Sequence, residues 1–236
     1  MGDMNFQGNF KRVGSFDTSE LKRLVLGLTQ EHWLADDTRQ KRYEVHKDTQ
    51  FIGLAYDEDF RHTHPTRRPA LDLFGPAIQS LLAQIAEFYE THPETFAKFQ
   101  KPVRGYFIRI SLAKLVAGGK ISIHQDKNFS LTHSHRVHLP IVTNPDCWFY
   151  VGKERMNMKE GEIWEINNRR MHYVANHGDE DRVHLILDWV FPWEPCCCAD
   201  KVHPGEPCTP KACADSVVLR IPCDCHPEEA DVPLPV

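Results

Sequence analysis

Long apolar runs are absent from this 236-residue sequence. No stretch approaches the ~18 consecutive apolar residues of a membrane span, so no membrane partner is expected. The opening residues Met1 to Phe10 are polar and lack a basic-then-apolar leader, which places the expected protein in the cytoplasm. Clustered positive charge is missing as well. The 28 lysines and arginines are interspersed among 33 acidic residues for a net charge of −5, and no basic stripe of the kind nucleic acids require is present. Cysteine is nearly absent from the first 195 residues, where Cys147 stands alone, while seven cysteines crowd between Cys196 and Cys225. A disulfide-stapled framework would spread its cysteines through the fold, so the body of the chain reads as that of a reduced compartment. Cys147, inside an apolar segment, reads as a packing residue.

What is present points to one catalytic domain over residues 1–195, followed by a Cys/Pro-rich tail over 196–236. Asp17, Thr18 and Ser19 open a segment in which Leu21, Leu24, Val25 and Leu28 recur at helical spacing, predicting an amphipathic helix over 17–35. Residues 43–56 are rich in strand formers. The stretch 57–69 carries Arg61, His62, His64, Arg67 and Arg68 between prolines, in the manner of a loop that covers a site. Ile78, Leu81, Leu82, Ile85 and Phe88 form one stripe of a second helix over 74–88, with Pro76 near its start. From Val103 to Phe191 the texture changes to short alternating segments: 104–112, 120–124, 136–142, 147–151, 162–166, 172–176 and 182–191. Turn signals such as Gly118-Gly119 and His177-Gly178-Asp179 separate them. The pattern predicts a mainly β fold with N-terminal helices, a double-stranded β-helix or cupin-like jelly roll.

The chemistry-bearing residues fall in that β region. His124 and Asp126 are two apart, so in an extended segment both side chains leave one face. His172 follows 48 residues later, after the Asn167–Arg170 turn, and could approach from a neighbouring strand. Two imidazoles and one carboxylate on one face leave positions open on a non-haem Fe(II) for substrate and O2. The phrase Arg-Val-His-Leu occurs twice, at 136–139 and 182–185. In each copy Arg and His share one face while Val and Leu share the other, which predicts a buried cationic pocket. Inward arginines call for an anion, and 2-oxoglutarate, a dicarboxylate, suits the guanidinium fork. The alternative is pairing of either arginine with Asp179, Asp181, Asp188 or another acid. Arg104, alternating with Tyr106 and Ile108, is a candidate for a substrate carboxylate. Arg109, His135 and Arg170 lie close by in sequence and read as surface residues, and Trp148 and Trp164 read as core.

Taken in order, Gly118-Gly119-Lys-Ile-Ser-Ile-His124-Gln-Asp126, His135-Arg136-Val-His138-Leu-Pro-Ile, Gly161-Glu-Ile-Trp-Glu-Ile-Asn167-Asn168, His172-Tyr-Val-Ala-Asn176-His-Gly178 and Arg182-Val-His-Leu-Ile-Leu-Asp188 resemble the aspartyl/asparaginyl β-hydroxylase family of Fe(II)/2-oxoglutarate dioxygenases. The resemblance spans roughly residues 40–192. It implies a jelly roll, His124, Asp126 and His172 as iron ligands, and Arg182 as the partner of the distal carboxylate of 2-oxoglutarate. Arg136 and His138 match positions that also face the cosubstrate. The retained Asp126 makes the chain more similar to small bacterial members such as proline 3-hydroxylase than to the hydroxylase of secreted domains, which lacks that carboxylate. It also argues against halogenation, since a halide needs the site the carboxylate takes.

The expected reaction is therefore hydroxylation of an unactivated C–H, at the β-carbon, of an amino acid that is free or carried in a peptide or small metabolite. A non-catalytic metal-binding jelly roll, or a cupin enzyme that does not use 2-oxoglutarate, is the alternative. The tail cysteines Cys196, Cys197, Cys198, Cys208, Cys213, Cys223 and Cys225 could hold zinc, form disulfides or remain free thiols; their spacing repeats no zinc-finger pair. The oligomeric state is not legible in the sequence.

Overall fold

The structure, a computed structural model, describes residues 6, 8–36, 41, 44–56, 65–126, 131 and 134–191. The tail cysteines, together with Arg61, His62 and His64, lie outside the described residues. In chain order the elements are β1 (Phe10–Ser15), α1 (Ser19–Leu26), α2 (Gln30–Leu34), a 3₁₀ turn (Glu44–His46), β2 (Thr49–Tyr56) and β3 (Thr66–Arg67). They continue with α3 (Ala70–Thr91), α4 (Pro93–Phe99), β4 (Tyr106–Leu115), β5 (Lys120–His124) and β6 (His135–Val142). The last five are β7 (Cys147–Val151), β8 (Glu154–Met156), β9 (Glu162–Ile166), β10 (His172–Asn176) and β11 (Arg182–Val190).

Two antiparallel sheets form the body. The larger runs β1-β9-β6-β11-β4-β2-β3 and the smaller β5-β10-β7-β8. The non-consecutive neighbours are the crossovers of a jelly roll, as the sequence led us to expect. Strand alternation divides the larger sheet into two faces. Val137, Leu139, Ile141, Val183, Leu185 and Leu187 join Leu71, Phe74, Ile78, Leu81, Leu82 and Ile85 of α3 in one core beneath the helices. The opposite face meets Phe149, Val151 and Val174 of the smaller sheet in a second, smaller cluster. Arg136, His138, Arg182, His184, Ile186 and Asp188 alternate with the helix-facing residues and therefore point between the sheets.

Local chemistry explains where the boundaries depart from expectation. The predicted helix over 17–35 is two helices, because Gly27 ends α1 and Thr29 caps α2, with His32 completing a capping box. The strand expected from residue 43 begins only at Thr49, after the 3₁₀ turn. α3 starts at Ala70 and carries Pro76 within its second turn. β1 has no counterpart in the sequence pattern: it is a polar edge strand with Val13 as its one buried residue. β4 is buried at every position and begins at Tyr106, leaving Arg104 ahead of it in an exposed position. Trp148 is half-buried beneath the Arg155 guanidinium, 4.5 Å from its ring, and not in the core as expected. Among the described residues no helix is long and apolar enough to cross a membrane.

Candidate active site

β5 and β10 are paired antiparallel, and His124 stands directly opposite His172. An extra residue in β5 shifts the register between His172 and Val174, so Ile121 and His124, three apart, both line the same pocket. The two imidazole rings lie 4.3 Å apart between centroids. His124 Nδ1 is 2.7 Å from the carbonyl of Ser122, and His172 Nδ1 is 2.9 Å from that of Arg170. A carbonyl can only accept, so each Nδ1 carries a proton, which leaves Nε2 as the nitrogen able to ligate. His124 Nε2 is 3.9 Å from Asp126 Oδ1. One donor atom from each of His124, Asp126 and His172 falls within 4.8 Å of the others.

Asp126 is nearly buried. Its Oδ2 accepts from Arg136 Nη1 at 2.8 Å and from Asn168 Nδ2 at 3.2 Å, while its backbone N–H donates to the Asn168 carbonyl. Burial pushes the carboxyl up, yet Arg136, His172 and His124 together hold it below the ordinary carboxylate value. It is an anion at neutral pH. Burial holds His172 below the ordinary histidine value, outweighing the pull of Asp126, so its ring is neutral and able to ligate. Two imidazoles able to ligate through Nε2 and one ionised carboxylate fit a divalent iron-type ion.

Behind the triad lies Arg182, 1% exposed, on β11. Its Nη2 donates to His184 Nδ1 at 2.6 Å, its Nε is buried without a partner, and among the described residues no carboxylate pairs with it. Burial brings its pKa down to about 10, which leaves a cation at neutral pH. His184 Nδ1 is in turn 3.4 Å from His138 Nδ1, and His138 Nε2 is buried without a partner. Both rings are pushed well below the ordinary histidine value, first by burial and then by the Arg182 charge. A buried cation with neutral neighbours is costly unless an anion joins it. His124, His138, His172 and Arg182 line a single pocket, with Phe149, Ile121, Val174, Ile166 and Ile186 supplying apolar walls.

The sequence-derived set therefore comes together, with two revisions. Arg136 faces the pocket as expected, but its charge is already paired there: Nε and Nη2 donate to Asp188 and Nη1 donates to Asp126. Arg104 does not line the pocket. His135, expected at the surface, is 2.7 Å from the buried Glu165, and Arg109 is buried 4.7 Å from the Tyr56 ring. Arg170 reaches back to Asn9. Asn168, His46 and Phe51 also belong to the site or its support and carry no signal in the sequence that a spacing rule would pick up, whereas His184 follows from the repeated Arg-Val-His-Leu phrase and Asp188 is one of the acids that phrase leaves open.

A jelly roll holding a His-x-Asp…His set beside a buried arginine defines the class of Fe(II)/2-oxoglutarate oxygenases. Residues 71–192, just over half of the chain, match the family model for aspartyl/asparaginyl β-hydroxylase, and the chain belongs to that family. No curated protein gives a significant match to the sequence. Among solved structures, an oxidoreductase of the 2OG-Fe(II) oxygenase family from Burkholderia pseudomallei is similar at 13% identity and a TM-score of 0.47, over 60% of this chain and 67% of that one. The viral collagen prolyl hydroxylase of Paramecium Bursaria Chlorella virus-1, in complex with 2OG, is similar at 7% identity and a TM-score of 0.47, over 78% of this chain and 96% of that one.

Proposed function

We propose that the protein hydroxylates an unactivated C–H, at the β-carbon, of an amino acid that is free or carried in a peptide or small metabolite. His124, Asp126 and His172 hold Fe(II) and Arg182 anchors the distal carboxylate of 2-oxoglutarate. The observation that carries this reading is the buried Arg182 guanidinium, which has no acidic partner among the described residues and opens on the same pocket as the three metal donors. Bound iron with 2-oxoglutarate supplies activation of O2 for C–H oxidation. The chain's own residues position and exclude. Arg182 fixes the far end of the dicarboxylate, His138 Nε2 offers a polar contact along its length, and Ile121, Phe149, Val174 and Ile186 keep water from its stem. The retained Asp126 favours hydroxyl transfer over halogenation. A cytoplasmic setting is part of the same proposal and rests on composition.

Incubating the iron-loaded protein with 2-oxoglutarate, O2 and a panel of free amino acids and short peptides tests it. Succinate release that rises with one substrate, accompanied by a product heavier by one oxygen, is the expected result. Succinate release that no amino-acid compound stimulates would sink the substrate assignment, and its absence under all conditions would favour a binding module.

A further inference from the structure

Strands β6 and β11 are hydrogen-bonded neighbours whose register sets Arg136 directly opposite Asp188. Both side chains are buried on the inner face, and in that setting a lone charge would be expensive. The pair solves this with a fork. Arg136 Nε donates to Asp188 Oδ1 and Nη2 to Asp188 Oδ2, each at 2.8 Å. A bidentate pair of this kind fixes the plane of the guanidinium and not merely its position. The remaining nitrogen, Nη1, is thereby aimed at Asp126 and donates to its Oδ2 at 2.8 Å. With Asn168 Nδ2 on the same oxygen, one edge of the carboxylate is committed and Oδ1 is left on the histidine side.

We propose that Asp188 is a positioning residue for the metal-binding carboxylate, acting through Arg136, and that Arg136 serves the metal side of the pocket instead of gripping an anion of substrate or cosubstrate. This rests on the metal-site reading above. An untethered carboxylate rotates about its Cβ–Cγ bond and presents either oxygen; the Asp188–Arg136 fork holds Asp126 in one rotation. Without Asp188 the guanidinium swings to pair with both oxygens of Asp126 and draws Oδ1 away from the histidines.

The test is an anaerobic titration of the full-length, metal-free protein with Co(II), followed by visible absorption, in the wild type, Asp188→Asn, Asp126→Asn and the double variant. Loss of a hydrogen-bond partner behind a metal ligand typically weakens affinity by about 10- to 100-fold. Asp188→Asn should lose affinity within that range and show an altered Co(II) spectrum, while adding almost nothing in the Asp126→Asn background, where the relay has no end point. Wild-type affinity in Asp188→Asn, or an equal loss in both backgrounds, overturns the relay. Arg136→Lys decides the matter should Asp188→Asn fail to fold by circular dichroism: it keeps a cation but cannot span the fork, and must show the same dependence on Asp126. Failure of the wild type itself to bind Co(II) overturns the metal-site reading, whereas wild-type binding that ignores both variants overturns the relay alone.

Discussion

Arg182 donates a 2.6 Å hydrogen bond to Nδ1 of His184, two residues further along the same strand. Guanidinium nitrogens have no lone pair to offer, so the contact forces Nδ1 of His184 to be the acceptor and keeps that ring neutral. The pocket's inner end thus carries one fixed positive charge bordered by imidazoles that cannot share it.

A buried cation waiting for an anion makes an opposing pair of predictions for Arg182→Met. Without cosubstrate, removing the charge should stabilise the fold, by about 1 kcal/mol or more, as replacement of buried ionic groups by apolar ones of similar volume often does. The same substitution should weaken 2-oxoglutarate binding by about 100-fold, the scale of losing a buried charge-assisted contact. Urea unfolding and calorimetric titration measure the two effects separately. A variant that is less stable and binds as before would contradict the assigned role.

Acid should unfold the protein early. His138 and His184 are held well below the ordinary histidine value, chiefly by burial and further by Arg182, whereas in the unfolded chain they titrate near 6.5. Below that pH the unfolded state binds more protons than the native state, so stability falls as pH falls. The two rings together give a slope approaching about 2.7 kcal/mol per pH unit, fully present only well below pH ~6.5. Denaturant midpoints taken from pH 7.5 down to 5 would show this decline, and His184→Gln should flatten it; a level profile in the wild type would show that the rings accept protons in place.

The turn that delivers Asn168 and His172 is clamped from the N-terminus. Asn167 Nδ2 donates to the carbonyls of Phe6 and Gly8, and Arg170 Nη1 donates to Asn9 Oδ1 at 2.8 Å. Asn167→Ala should cost about 1–3 kcal/mol, since it leaves backbone carbonyls without their donor. It should also weaken Co(II) binding several-fold, because the same turn sets both the partner of Asp126 and one imidazole. Chemical denaturation together with metal titration checks both parts, and a stability loss with unchanged metal affinity would separate the clamp from the site.

Metal binding should itself stabilise the fold. At a free Co(II) concentration one hundred times Kd, the native state gains about 2.7 kcal/mol by mass action. Thermal unfolding with and without a chelator measures the shift, and His172→Ala should abolish it. An equal shift in that variant would place the metal elsewhere.

Much of this was legible in the sequence, and the reasons are local. β5, β7, β9 and β10 end where alternation and turn residues place their ends, because each is bounded by Gly, Asn or Asp turns. His124, Asp126, His172 and Arg182 stood out because ligand chemistry restricts residue type and spacing. β1 was invisible because an edge strand with one buried residue has no alternation to detect. The sequence offers Arg136 several acidic partners, since the choice of Asp188 depends on the register between β6 and β11, which no single strand encodes. Asn168 and His184 act through hydrogen bonds that exist only after the strands are assembled.

The most direct measurement is an anaerobic titration of the metal-free protein with Fe(II) and then 2-oxoglutarate, following the visible charge-transfer band of the chelate. The wild type should give a band, His172→Ala none, and Arg182→Ala should require much more 2-oxoglutarate. Iron that binds without ever giving the band on addition of 2-oxoglutarate would contradict the cosubstrate assignment.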